Sequence, residues 1–272
     1  MTAEAGMVGR SQPFWLTATA LVILFFLCLP MLIIVPMSFS SAQSLEFPPP
    51  GLSTRWYEAF FGNEVWVQAG INSLLLATIS STAALVLGTL AAYGLVRGSF
   101  PFKNALEANF IAPIIVPSII TAVALFIVFA RLKILGTFFG LALAHTLLVT
   151  PYAVLIMQVA IRSFDVRIEQ VAATLGAGRI RILTRVVLPN LLPSAVAAWI
   201  FAFVVSFDEV VVTLFLSGTH LTIPKRMFNE LIMQINPTIT AVATLLIALN
   251  LLALLVILAL SRRGGLMPRE LS

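Results

Sequence analysis

The sequence predicts an all-α integral membrane protein with six transmembrane helices, and two observations lead to this prediction. Of its 272 residues, 60% are hydrophobic and only 10% are charged, whereas a soluble globular protein carries about 25% charged residues. Six stretches are free of Lys and Arg and supply the roughly 20 apolar helical residues that a bilayer core requires. These stretches are Phe14–Met37, Ile71–Val96, Phe110–Ala130, Phe138–Ile161, Leu191–Gly218 and Ile239–Leu260.

The first stretch follows Arg10, as the apolar part of a secretory signal would. It is too long for such a signal. We therefore expect a retained span that bends at Pro30 and ends by Pro36.

The outer segment from Ser38 to Gly70 contains a Pro-Pro-Pro-Gly turn and three aromatic residues, Trp56, Tyr57 and Trp66. Trp and Tyr are enriched at headgroup depth. The segment therefore predicts a short interfacial helix, which serves either as an anchor or as a contact for a partner.

Several residues inside the spans depart from the apolar pattern. Pro113, Pro117 and Pro151 remove backbone donors, and His145 and Asn250 place polar groups at membrane depth. Prolines kink helices, and buried polar side chains bond across helix pairs. Small residues in the second span permit close helix packing. They are Gly88, Ala91, Ala92 and Gly94.

Asp208 and Glu209 are the acids of the fifth stretch. Counted from Leu191, they lie about 25 Å along a helix, toward its outer end. An acid in a span is unfavourable unless it faces protein or water, so both are candidates for a substrate pathway. Adjacent helical positions diverge by about 100°, so at most one can face that pathway directly. The alternative is a helix-end acid held by Lys225 or Arg226.

The basic residues are unevenly distributed over the connections between the stretches. With the N-terminus inside, the inner connections carry eleven Lys and Arg residues and the outer ones five. Because basic residues accumulate on the cytoplasmic side, both termini are predicted to be cytoplasmic. The net charge of +5 has this origin, since basic and aromatic residues are not interleaved as in a nucleic-acid-binding protein.

The inner loop from Ser163 to Asn190 is rich in arginine, and its apolar residues recur at helical spacing on both sides of a Gly176-Ala177-Gly178 break. This pattern predicts two short amphipathic helices joined by a turn. Asp165 is placed to cap the first helix, and glycines suit its C-terminus, where a positive φ costs little. A short helix presented to the cytoplasm is suited to a groove on another protein.

The same loop resembles the coupling loop of permease subunits of ATP-binding-cassette (ABC) importers. The family pattern is Glu-Ala-Ala, three residues, Gly, nine residues and Ile-x-Leu-Pro, and this chain matches it at Ala172, Gly176, Leu188 and Pro189. Gln170 stands where the family has Glu. Glu169 could serve in its place, but on a helix it points about 100° away.

This resemblance implies the MetI-like, type I permease fold, with a cytoplasmic coupling-helix loop between transmembrane helices 4 and 5. It divides the chain into an N-terminal cytoplasmic segment, first span and periplasmic loop (1–70), a permease core of five spans (71–260) and a short basic cytoplasmic tail (261–272). It assigns coupling to the ATPase to eight residues. They are Glu169, Gln170, Ala172, Ala173, Gly176, Gly178, Leu188 and Pro189.

The segment from Ser206 to Gly218 is similar to one in spermidine and putrescine permeases, which bear an acidic pair there. This implies a polyamine or a related small organic solute as the substrate. The implied partners are a second, different permease chain, an ATPase dimer, a periplasmic solute-binding protein and membrane lipid, at the bacterial inner membrane. ATP and Mg would bind to the ATPase subunits, and this chain would carry no cofactor.

Enzymatic chemistry has little support in the sequence. No Gly-x4-Gly-Lys-Ser/Thr phosphate loop occurs. The two histidines, His145 and His220, and the one cysteine form no recognisable metal cluster or Cys-His nucleophile. We therefore predict a transport subunit that is not an enzyme. Two alternatives stay open: a carrier driven by an ion gradient, although inverted repeats are not evident, and a membrane scaffold that docks a partner through the same loop.

Overall fold

A computed structural model of the chain describes residues 14–233 and 236–263, and this part is almost entirely helical, which confirms the predicted class. The terminal residues 1–13 and 264–272, with Arg10 and Arg269, lie outside the described residues. The helices are α1 (Phe14–Ser38), α2 (Arg55–Phe61), α3 (Glu64–Arg97), α4 (Lys103–Ile115), α5 (Ser118–Arg131), α6 (Phe138–Ser163), α7 (Val166–Thr174), α8 (Arg179–Ile182), a π-helical turn (Leu183–Val187), α9 (Leu188–Asn190), α10 (Leu192–Phe207), α11 (Val211–Leu216), α12 (Ile223–Met233) and α13 (Thr238–Arg263).

Four helices, α1, α3, α6 and α13, are each long and apolar enough to cross a membrane. Two bent helix pairs pass the same criterion when each pair is taken as one span. They are α4 with α5, bent by 104°, and Arg179–Asn190 with α10, bent by 78°. Up to six spans are therefore present in the described residues, as the sequence predicts, although two of them are bent.

The predicted stretch from Phe110 to Ala130 is divided between two helices, and Pro117 explains why. A proline pushes the residue before it out of the helical region, and Val116 is extended, with φ −73° and ψ 129°. Helix α4 therefore ends at Ile115, and α5 begins after Pro117. Pro113, by contrast, is accommodated inside α4.

The described residues form two compact units, one of residues 14–60 with 236–247 and the other of residues 61–233 with 248–263. In the first unit, α1 contains both Pro30 and Pro36 and ends at Ser38, so Pro36 does not end the helix as expected. The predicted interfacial helix is α2. Its Tyr57 hydroxyl lies 2.8 Å from Ser38 Oγ, and the Arg55 guanidinium lies 4.3 Å from the centroid of the Trp56 ring.

The centre of the second unit is the mutual packing of α3, α6 and α10. The contact between α3 and α6 is close at Gly88, where a Cβ would lie 2.8 Å from Ala153 Cβ. Ala84, Ala153 and Ala202 are fully buried around this contact. Small residues thus allow the helices to approach, which confirms the interpretation at Gly88 and at the buried Ala92. It is wrong for Gly94, where an added Cβ would meet no atom within 4 Å.

Polar contacts from the N-terminal half of α3 hold the connection between α11 and α12. Asn72 Nδ2 donates to the carbonyl oxygen of Leu221 at 2.9 Å, and Ser73 Oγ accepts from the amide of Ile223 at 2.8 Å. Lys225 Nζ donates to Ser217 Oγ at 2.6 Å, and burial lowers the pKa of its amine. The connection from α11 to α12 is therefore fastened to α3.

Candidate coupling loop and pathway residues

The loop between α6 and α10 contains two short helical segments, as its periodicity predicts. Asp165 Oδ1 accepts a hydrogen bond from the amide of Arg167 at 2.9 Å and so caps α7. Beyond the C-terminal end of α7, the amide of Ala177 donates to the Ala172 carbonyl at 3.1 Å, and the amide of Gly176 donates to the Ala173 carbonyl at 3.0 Å. This is the Schellman pattern, in which the C′ residue adopts a positive φ.

Only one of the two glycines after α7 has the expected backbone conformation. Gly176 has a φ of +84°, in the left-handed region where glycine is strongly favoured. Gly178 has a φ of −69° and precedes α8 as its N-terminal cap residue. The chain geometry therefore requires glycine at Gly176 and not at Gly178.

Most of the apolar face of α7 is exposed, because only Ala172 packs against the core beneath it. Val171 is 59% exposed and Leu175 is 83% exposed. Ile180, at the start of the second helical segment, is 80% exposed. An apolar patch on a short helix, with exposed arginines beside it, is the kind of surface that enters a protein groove. The flanking arginines are Arg167, Arg179, Arg181 and Arg185.

The predicted coupling residues differ in how accessible they are. Ala172 and Leu188 are half-buried, and Glu169 is buried. The others are exposed, namely Gln170, Ala173, Gly176, Gly178 and Pro189. Pro189 lies in α9, two residues after the end of the π-helical turn, and its lack of an N–H removes one regular helical bond there.

Glu169 does not lie on the exposed face of α7, because its side chain is buried against α3. Its Oε1 accepts from Arg97 Nε at 2.8 Å, and its Oε2 accepts from the Tyr93 hydroxyl at 2.8 Å. Sequence reasoning missed these two partners on α3. The available signal was their spacing of four residues, which places them on one helix face.

The predicted fifth stretch, Leu191–Gly218, is not one helix, and the acidic pair lies at its break. Helix α10 ends at Phe207, and α11 begins at Val211. Glu209 Oε1 accepts from the amide of Val212 at 2.8 Å and thus satisfies a free donor at the start of α11. Asp208 is exposed, and Asn250 of α13 lies beside it.

The structure does not support the alternative in which Lys225 or Arg226 holds the acidic pair. Lys225 Nζ binds Ser217 Oγ and the Gly218 carbonyl, whereas Arg226 pairs with Glu230. Of the two acids, Asp208 is therefore the remaining candidate for the substrate pathway. The Glu209 carboxylate is engaged in a hydrogen bond with the amide of Val212 at the start of α11.

His145 forms a buried polar link between α6 and the end of the fifth span. Its Nδ1 lies 2.9 Å from Ser206 Oγ, and its Nε2 lies 3.0 Å from Thr213 Oγ1. This confirms the interpretation of His145 as a residue that bonds across helices. Within the described residues, no group of three or more His, Cys, Asp or Glu side chains could hold a metal ion.

An aromatic row along α10, which the sequence reasoning missed, leads to the acidic pair. Trp199 stacks on Phe203 with ring centroids 5.3 Å apart, and Phe203 lies 5.7 Å from Phe207. Trp199 Nε1 donates to Thr82 Oγ1 of α3 at 3.0 Å. The signal was the spacing of four residues, which aligns the three rings on one helix face.

Comparison with known proteins places the chain among transport proteins. Residues 84–264 match the family model described as "binding-protein-dependent transport system inner membrane component". The spermidine/putrescine transport system permease protein PotC of Haemophilus influenzae is 34% identical over 94% of this chain and 99% of its own length. The putrescine transport system permease protein PotI of Escherichia coli K12 is 34% identical over 82% of each chain.

Solved structures show the same fold at low sequence identity. A chain of a bacterial ABC transporter involved in the import of the acidic polysaccharide alginate has a TM-score of 0.69 at 14% identity, over 95% of this chain and 99% of that one. A chain of the MetNI methionine ABC transporter has a TM-score of 0.57 at 18% identity, over 75% and 96%.

The helices define a multi-pass membrane protein, and the comparisons place it among transport proteins. The chain belongs to the family of binding-protein-dependent transport system inner membrane components, and it is a permease subunit of an ABC importer. This agrees with the family resemblance seen in the sequence.

Proposed function

We propose that this permease imports a polyamine or a related small organic cation. The proposal is supported by the names of the spermidine and putrescine relatives, which cover most of this chain. It is also supported by Asp208, an exposed carboxylate at the end of a span, because an acid there is retained where it faces water, protein or a ligand. The aromatic row below it adds ring faces, which attract ammonium groups.

The observation that carries the proposed mechanism is the exposed apolar patch of Ile168, Val171, Leu175 and Ile180. In this proposal, the patch seats in a groove of an ATPase subunit, and the arginines beside it pair with carboxylates of that subunit. Closure of the ATPase pair on ATP moves α7. The spans joined to α7 then tilt, and the pathway opens toward the periplasm. ATP and Mg bind to the ATPase subunits.

The complete assembly in this proposal contains four kinds of partner. A second, different permease chain encloses the other half of the pathway, an ATPase dimer binds the two coupling loops, and a periplasmic solute-binding protein delivers the substrate. Membrane lipid surrounds the spans. Both termini and the loop around α7 face the cytoplasm, a sidedness supported by the excess of Lys and Arg in the inner connections.

The test is reconstitution of the permease with its ATPase, its second permease and its solute-binding protein in lipid vesicles. We expect uptake of labelled spermidine or putrescine that needs ATP and stops when Val171 and Leu175 are both changed to Glu. The matched control is Val159→Glu, a change at an exposed position of α6 outside the apolar patch of α7, scored for ATPase co-purification only. Retention of the ATPase by the Val171 and Leu175 variant would refute the docking surface.

The two alternatives predict other outcomes of the same experiment. Uptake that follows an imposed ion gradient without ATP would indicate a gradient-driven carrier. Stable co-purification of partners without uptake of any tested solute would indicate a scaffold. ATP-dependent uptake of an uncharged or anionic solute in preference to polyamines would support an ABC importer but would refute a cationic substrate.

A further inference from the structure

We infer that Arg97 is a positioning residue that fixes the coupling helix α7 to the inner end of α3, so that movement of α7 moves α3 directly. Arg97, Tyr93 and Glu169 are called the α3–α7 clamp below. The inference rests on the proposed function only in that α7 is the element that the ATPase moves.

The clamp is a buried, charge-assisted set of bonds. The Glu169 side chain is 9% exposed, and its Oε1 lies 2.7 Å from Arg97 Nη2. The same Nη2 donates to the carbonyl oxygen of Phe164 at 2.9 Å. One guanidinium thus binds both the middle of α7 and the residue at the junction of α6 and α7. Such forked bonds fix orientation as well as distance, and a lysine cannot reproduce them.

The clamp matters because the chain on both sides of α7 is not helical. Phe164 is extended, with φ −79° and ψ 126°, and Gly176 has a positive φ. Neither junction continues the helical hydrogen bonds of a neighbouring span, so the backbone alone would let α7 pivot. Helix α7 also packs against α8 and the π-helical turn, and Ala172 packs against the core. The bonds of Glu169 to Arg97 and Tyr93 are the directional contacts that tie α7 to α3.

Helix α3 is well suited to transmit the movement. Its 34 residues contain no proline and extend about 51 Å at 1.5 Å per residue. Its inner end carries the clamp, its middle binds Trp199 of α10 through Thr82, and its outer end holds residues 221 and 223 through Asn72 and Ser73. A displacement applied at Arg97 therefore reaches the outer connection along one continuous helix.

The first test compares Arg97→Met with Arg162→Met in the reconstituted importer. Arg162 pairs with Glu107 on the same side of the protein, but its side chain is 60% exposed, so its loss removes an exposed ion pair. The measured quantity is solute transported per ATP hydrolysed. We expect Arg97→Met to lower this ratio about tenfold, within the usual range of coupling effects, while Arg162→Met leaves it unchanged. An unchanged ratio for Arg97→Met would overturn the inference.

A milder variant covers the case in which Arg97→Met fails to fold. Tyr93→Phe removes only the hydroxyl that binds Glu169 Oε2 and keeps the ion pair. We expect a smaller fall in the same ratio, with normal amounts of the protein in the membrane. A wild-type ratio of solute transported to ATP hydrolysed in the Tyr93→Phe protein would also count against the clamp.

A distance measurement on the permease separates failure of the clamp from failure of the proposed function. After Cys28, the one native cysteine, is changed to Ser, spin labels are attached at Gly94→Cys and Thr174→Cys. A side chain at Gly94 meets no atom within 4 Å, and Thr174 is exposed. We expect a narrow distance distribution in the wild-type background and a broad one with Arg97→Met, with or without ATPase. Equally narrow distributions would refute the clamp, whereas loss of ATPase binding alone would refute only the proposed function.

Discussion

At the scale of single residues, the acidic pair shows how adjacent side chains take different roles. Glu209 binds the amide of Val212 and fills a helix-end position, whereas Asp208 is exposed beside Asn250. The break between α10 and α11 at residues 208–210 produces this division, because it ends one helix and exposes the free amides of the next.

Asp208→Asn should lower the uptake of a cationic substrate about tenfold, because the change removes the charge and keeps the shape. The measurement is initial uptake of labelled polyamine at matched levels of permease in the membrane. The matched control is Glu209→Gln, which keeps an oxygen acceptor for the Val212 amide and should retain most of the uptake. An unchanged rate for Asp208→Asn would remove this residue from the pathway.

At the scale of elements, the end of α7 depends on one backbone conformation. Gly176 has a φ of +84°, which costs a residue with a side chain roughly 1–2 kcal/mol. Gly178, two residues on, has an ordinary φ of −69°. Neither glycine has an atom within 4 Å of an added Cβ, so the two positions differ in backbone strain and not in space.

Gly176→Val should abolish transport while the protein stays in the membrane, because it distorts the end of the helix that we propose binds the ATPase. Gly178→Ala is the matched change and should leave transport close to the wild-type rate. Both variants are compared by uptake in vesicles and by retention of the ATPase on the purified permease. Undiminished uptake by Gly176→Val would argue against a role for this turn.

The contact between α3 and α6 leads to a prediction about stability. A Cβ at Gly88 would lie 2.8 Å from Ala153 Cβ and 3.1 Å from the backbone nitrogen of Val154. Overpacking of this kind typically costs about 1–3 kcal/mol. Gly88→Val should therefore lower the melting temperature of the purified permease in detergent. The control is Gly94→Val, at a position of the same helix where a Cβ has open space. Equal melting temperatures of the two variants would contradict the close contact at Gly88.

At the scale of the whole molecule, the pathway and the coupling loop belong to one permease chain that we propose forms half of a translocation pore. The residues for the two tasks lie at the two ends of the α3–α6–α10 packing, with Asp208 after the end of α10 and α7 between α6 and α10. The proposed function requires a fixed sidedness of this chain, because in that proposal the loop binds the ATPase in the cytoplasm.

A topology reporter tests that sidedness. Alkaline phosphatase, which is active only in the periplasm, should be inactive when fused after Arg181, because this loop belongs to the arginine-rich inner connection. A fusion after Asn63, in the predicted outer segment, should be active. Activity after Arg181 would reverse the proposed topology and remove the coupling role of α7.

The sequence by itself determined the features that depend on local patterns. Apolar length predicted the spans, and the Asp165 cap and the glycine break predicted the two short helices of the loop. The match at Ala172, Gly176, Leu188 and Pro189 was enough to indicate the importer family, which the comparisons confirm. The assignment of individual residues to coupling and to the pathway stays a prediction.

Only the tertiary structure decided which way the key side chains face. Glu169 binds Tyr93, which lies 76 residues earlier, and His145 binds Thr213, which lies 68 residues later. The packing at Gly88 likewise depends on how helices meet. Spacing along one helix tells which residues share a face, but the partner of that face is set by packing between distant segments, and a single sequence does not encode that in any local pattern.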